Sequence, residues 1–182
     1  MDHSIQLPVP DYEASDVLVV RELPPQRALA HELRAKIVGL LRERALSTSQ
    51  LADKLDLPKG SVGHHVKVLE DAGLIRVVRT RRVRAVTEKF YGRTARLFVV
   101  KGEEELGAPL AQVLLRQAAD EIGLVWDDER ATQALVHVRL SDADARRFVQ
   151  RLNRLVDDFR ARAQRAGAMY GLVTAFYPMR DE

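Results

Sequence analysis

The chain has 182 residues, 46% of them hydrophobic and 30% charged, which is enough for one generous domain or two small ones with a real core. It contains no cysteine, so disulfides, thiolate metal sites and thiol nucleophiles are excluded together. The net charge of +3 is uneven: residues 31–101 hold sixteen Lys and Arg against seven Asp and Glu, and the flanks on each side are acidic by three. A basic segment between acidic flanks is the electrostatic footprint of a nucleic-acid binder. Solvated surface charge is its bland alternative.

The opening MDHSIQLPVPDYEASD is polar, acidic and broken by Pro8 and Pro10, unlike a secretory signal. No run approaches the roughly 18 apolar residues of a spanning helix, so the sequence reads as cytoplasmic, with no membrane partner. DVLVVREL is a short apolar strand or extended arm closed by Pro24 and Pro25. QRALAHELRAKIVGLLRERA then sets Leu29, Leu33, Ile37, Leu40 and Leu41 at helical spacing with charges opposite, which predicts one amphipathic helix. STSQ has the form of a capping box, with Ser47 and Gln50 each satisfying an orphan amide, so a second helix runs from about Thr48 to Leu55.

After Pro58 a third helix begins near Lys59, with Val62, Val66 and Leu69 as its apolar stripe and Gly73 suited to the left-handed cap. Two short helices joined by a tight turn make a helix-turn-helix. LIRVVRTRRVRAVTEKF reads as a β-hairpin with arginines crowding its tip. FYGRTARLFVVK is a further strand, and ELGAPLAQVLLRQAADEIG a helix with Leu106, Leu110, Val113, Leu114 and Ala118 inward. WDDER is an acidic loop, expected to be solvated rather than a cation site. ALVHVRL and YGLVTAFYP are strands on either side of a long helix capped by Ser141, with Asp142 and Asp144 at its positive dipole end.

The expected fold class is α+β: a winged helix-turn-helix of three helices plus a β-hairpin wing, followed by a small mixed α/β unit. The expected divisions are a tail and arm at 1–27, the winged unit at 28–90 and a C-terminal dimerisation or effector unit at 91–182.

The physical logic of the winged unit points to double-stranded DNA. A major groove about 12 Å wide admits one helix, whose N-terminal residues reach base edges. With Val62, Val66 and Leu69 turned inward, the recognition helix 59–72 offers Lys59, Ser61, Gly63, His64 and Lys67 outward. The wing at 76–86 carries Arg79, Arg81, Arg82 and Arg84, and like charges packed on one ribbon repel unless a polyanion neutralises them. Such a tip suits the minor groove or its flanking phosphates.

His64 and His65 are helix neighbours about 100° apart, so they do not readily share an ion. His64 is read as a groove contact and His65 as a brace for packing. His3, His31 and His137 add no metal-ligand spacing, and no metal or cofactor is expected. There is also no GxSxG elbow, phosphate-cradling glycine loop or spaced carboxylate pair, so the chain is read as a non-enzyme.

SQLADKLDLPKGSVGHHVKVLEDAGLIRVVRTRRVRA, with ALAHELRAKIVGLL before it, resembles the ArsR-type winged helix regulators of bacteria and archaea over residues 28 to 90. The resemblance implies a DNA-binding transcription regulator and supports Lys59, Ser61, Gly63, His64 and Lys67 as readers. Familiar members sense metals through cysteine pairs that this chain lacks. EKFYGRTARLF and the tail behind it are similar to the subset with an added C-terminal domain, which are commonly dimers.

On its own terms the long helix carries Phe148, Leu152, Leu155 and Phe159 at i, i+4, i+7 and i+11, a stripe fit for a partner helix in a homodimer or for covering the unit's own sheet, with the N-terminal arm and the helix at 105–122 equally open as dimer surfaces. A dimeric repressor follows as the expectation, with a small-molecule effector in the C-terminal unit shifting the two readers. The alternative is a sensor or interaction module whose winged helix contacts protein.

Overall fold

The computed structural model describes residues 10–83, 86–100, 104–125, 127–162 and 168–179. Two compact units are present, one within Leu7–Gln117 and one within Ala118–Glu182.

The first unit opens with strand β1, Ser15–Val20, followed by helix α1, Leu23–Leu29, and helix α2, Glu32–Leu40. The single helix read from QRALAHELRAKIVGLLRERA is therefore two, and the proline pair opens the first of them instead of closing the arm. Proline is tolerated at the first helical positions because the amide it lacks has no partner there. The break falls at Ala30 and His31, where Arg34 caps α1 from outside: its Nε donates to the Ala28 carbonyl at 2.7 Å and its Nη2 to the Arg27 carbonyl at 2.8 Å. Periodicity runs unbroken across this point, so sequence spacing alone does not reveal the break.

Strand β2, Leu46–Ser47, leads into α3, Thr48–Leu55. The capping box forms as read, with the Ser47 amide donating to Gln50 Oε1 at 2.9 Å and the Gln50 amide donating to Ser47 Oγ. Asp56 ends α3 in the left-handed region at φ 52, and α4, Lys59–Asp71, follows the tight turn. Gly73, at φ 70, ends α4 as expected. Strands β3, Ile75–Val83, and β4, Val86–Arg93, form the hairpin, and β2 pairs on the outer edge of β4 to give an antiparallel sheet in the order β2-β4-β3. Strand β5, Ala95–Val100, pairs in parallel with β1.

One core holds these pieces together. Val62, Val66 and Leu69 of α4 are 0%, 2% and 0% exposed and pack in one cluster with Ile37 and Leu41 from the α2 end, Leu51 of α3 and Leu74 before the wing. The arm is tied down by Tyr12, whose hydroxyl donates to the Leu41 carbonyl and accepts from the Arg93 amide at 3.0 Å. A Cβ built on Gly92 would lie 2.7 Å from that ring. Because both hydroxyl bonds hold the ring in place, Gly92→Ala is expected to destabilise the unit by about 1–3 kcal/mol, read as a lower urea midpoint at unchanged slope.

Helix α5, Glu104–Gly123, follows, and Leu110 packs against the core. Leu114 is exposed rather than inward, and the side chain of Leu106 lies outside the described residues. Helix α6, Asp142–Ala161, is capped by Ser141 Oγ, which accepts from the Asp144 amide at 3.1 Å. The strands read in ALVHVRL and YGLVTAFYP are not formed: residues 131–140 and 168–179 carry neither helix nor strand. Alternation states which sides of a strand would be apolar, but a strand exists only when a neighbour takes its amides and carbonyls. The fold class stands as a mixed helix-and-strand molecule with a winged helix-turn-helix. Among the described residues, no helix is long and apolar enough to cross a membrane.

Candidate nucleic-acid interface

Burying Val62, Val66 and Leu69 fixes the rotation of α4 and so decides what faces outward. Lys59, Ser61, His64 and Lys67 are exposed, as the spacing requires. Gly63 is only half exposed and faces α3, since a Cβ there would meet Thr48 Cγ2 at 3.7 Å. Its place is in the seam between the two helices. Lys67 is ion-paired with Asp71 one turn on, at 2.5 Å.

The hairpin divides its arginines between two faces. Register pairs Arg79 with Phe90 and Arg81 with Glu88, so these four side chains share one face, while Thr80 and Arg82 lie with Lys89 and Thr87 on the other. Arg79 and Arg81 both stack over the Phe90 ring, at 4.9 and 5.6 Å from its centroid. Arg81 Nη2 donates to Glu88 Oε2 at 2.8 Å, and Arg79 lies 3.8 Å from Asp11 of the arm. Arg82 is exposed, and Arg84 lies outside the described residues.

Glu88 and Phe90 are neighbours of these arginines that the spacing of cations does not reveal. The Ser47 hydroxyl first, then Arg81 and the charge of Lys59, hold the Glu88 carboxyl below the usual carboxylate range. The signal for it was present once the turn was placed, because residues equidistant from a hairpin tip meet across the strands.

The histidines do separate in role. His64 is exposed, while His65 is half-buried, with its ring 4.8 Å from His31 at the start of α2 and 5.4 Å from His64. Among the described residues no group of three or more His, Asp or Glu is placed to hold a metal. Burial first, then the charges of His31, Arg34 and His64, lower the affinity of His65 for a proton; burial and then Arg34 lower that of His31, against the opposing effects of a backbone hydrogen bond and Glu32. Both groups therefore bind protons more weakly folded than unfolded, so stability is intact above the ordinary 6.5 and is lost as pH falls through that value toward the folded one. A melting temperature that declines between pH 7.5 and 5.5, with a smaller decline in a His31→Gln, His65→Gln double variant, is the expected result.

The match to a family model agrees with the helix-turn-helix part of this architecture. A helix-turn-helix domain family matches residues 29–78. No curated protein matches the chain. Among solved structures, HlyU from Vibrio cholerae N16961 is 22% identical over 53% of this chain and 87% of its own, at a TM-score of 0.34. The homodimeric winged helix-turn-helix DNA-binding domain of Mb0332 from Mycobacterium bovis, a possible ArsR-family transcriptional regulator, is 16% identical over 59% and 85%, with the same score. The transcriptional repressor BigR from Xylella fastidiosa is 17% identical over 60% and 86%, at 0.32. Residues 29–78 match the helix-turn-helix domain family, and the β3 and β4 hairpin behind them makes the unit a winged one.

Proposed function

We propose that this protein is a sequence-specific DNA-binding transcription regulator, acting in the cytoplasm as a dimeric repressor that occupies a promoter. The observation that carries the reading is an exposed N-terminal half of α4 in the same unit as a wing hairpin that carries Arg79 and Arg81 on one face and Arg82 on the other. In this reading residues 28–90 read DNA, with Lys59, Ser61 and His64 at base edges or phosphates in the major groove and the wing arginines on the backbone or minor groove. Gly63 contributes by letting α3 and α4 close together.

Residues 91–182 form the dimerisation or effector part. Helix α6 has no buried residue, and Phe148, Leu155 and Phe159 are more than two-fifths exposed, with Leu152 half-buried between them. No strand among the described residues of its unit supplies a sheet for that stripe to cover, which favours a second copy of the helix. Two readers so joined would face half-sites roughly 34 Å apart.

Selection of bound fragments from random duplexes, followed by a salt titration of the selected site, tests the proposal. Enrichment of one near-palindromic motif and a steep linear fall of log affinity with log salt are expected. No enrichment together with salt-insensitive binding would transfer the winged helix to a protein partner.

A further inference from the structure

A surface that receives a polyanion gains nothing from carboxylates placed among its cations, yet three stand there. Asp11 lies beside Arg79, Asp71 holds Lys67, and Glu88 holds Arg81. Glu88 differs from the other two. Its side chain is only 25% exposed, it lies directly across the ladder from Arg81, and it accepts from Arg81 Nη2 at 2.8 Å. A mobile surface pair of the Lys67 and Asp71 kind swings aside at little cost, whereas a half-buried carboxylate paired across a strand ladder is held on the face.

We infer that Glu88 is a specificity-determining residue, a fixed counter-charge that limits attraction to DNA of arbitrary sequence and makes tight binding depend on base contacts from α4. The inference rests on the DNA-binding reading above. Non-specific affinity comes almost wholly from cations neutralising phosphates and releasing counterions, so each cation already neutralised by the protein subtracts from it. Base readout is a matter of hydrogen-bond pattern and is not reduced in the same way. Glu88 therefore lowers the non-specific background more than the specific signal, and in doing so widens the ratio between them. It also orients Arg81, whose guanidinium is held between that carboxylate and the Phe90 ring.

The test compares the full chain with Glu88→Gln, Glu88→Asp and Asp71→Asn variants, each titrated with a random-sequence duplex and with a duplex chosen by the native protein. Glu88→Gln is expected to bind the random duplex about tenfold more tightly near 0.1 M salt, with a salt slope steeper by up to about one unit. The ratio between the two duplexes should fall by a comparable factor. Glu88→Asp, which keeps the charge, should retain the native slope and ratio, and Asp71→Asn should change the ratio much less. Melting curves confirm that the variants are folded, and a purely structural role would move those curves without steepening the salt slope. If Glu88→Gln binds the random duplex no more tightly than the native chain, or more weakly, the inference is overturned while the DNA-binding reading survives. If the native chain itself binds no duplex, both fall.

Discussion

Leu69→Ala is expected to destabilise the Leu7–Gln117 unit by about 3–5 kcal/mol, the largest loss of any single truncation in α4. Leu69 is fully buried, and it belongs to a cluster to which α2, α3, the residue before the wing and β4 all contribute. Removing its isobutyl group forfeits the transfer free energy of the lost atoms. It also leaves a cavity that the surrounding helices fill only in part. The neighbouring Val66 and Val62 are smaller, so the same truncation there removes less, about 1–3 kcal/mol each. Urea unfolding followed by far-UV circular dichroism measures the difference, read as a shift in midpoint at constant slope. A shift under 1 kcal/mol for Leu69→Ala would mean that α4 is not seated as described. Placement on the opposite helix face makes His64→Ala the internal control, with little change expected.

The contrast between those two positions shows why the helix-turn-helix was legible in the sequence. The i, i+4, i+7 spacing of Val62, Val66 and Leu69 fixes both the helix and its rotation, because hydrophobic burial is strong and its period is unambiguous. Ser47 and Gln50 were equally legible, since a capping box is a local exchange of hydrogen bonds. Pro24 and the Ala30 break were not, because both depend on whether a neighbour such as Arg34 satisfies the carbonyls that the break leaves open. The same limit applies with more force to ALVHVRL and YGLVTAFYP. Their alternation is that of strands, yet Leu135 and Val136 stand 77% and 72% exposed in a segment with no ladder. Pairing is a property of two segments, and one segment's pattern does not name its partner.

At the candidate interface the cations were legible by type and the carboxylates were not. Counting charges over residues 31–101 gives a surplus and says nothing about which arginines share a side. Strand alternation, once the register is known, separates Arg82 from Arg79 and Arg81, and it brings Glu88 against Arg81. Arg93, counted among the positive residues, is 8% exposed, with its guanidinium 4.7 Å over the Phe98 ring. Burial lowers its pKa to about 10, which still leaves it charged near neutrality, yet it is withdrawn from any phosphate. The surplus available to DNA is accordingly smaller than the sequence count, and what remains depends on a few exposed positions.

Lys59 and Arg81 are the pair on which that dependence is sharpest. Lys59 stands exposed at the first turn of α4, and Arg81 is two-thirds exposed on the wing, paired with Glu88 at 2.8 Å. If each neutralises one phosphate, removing it subtracts up to about one unit from the salt slope and about tenfold from affinity near 0.1 M salt. Lys59→Ala, Arg81→Ala together are therefore expected to weaken binding to the selected duplex about a hundredfold, with a slope shallower by up to about two units. Random duplexes should suffer a similar loss, because phosphates are the same in every sequence. Ser61→Ala and His64→Ala give the opposite signature if those side chains reach base edges: an unchanged slope, with a shift in which base pairs are preferred. Titration by fluorescence anisotropy at four salt concentrations distinguishes the two patterns. An unchanged slope in the Lys59 and Arg81 double variant would remove both side chains from the interface and leave the Arg82 face of the wing as the side that meets DNA.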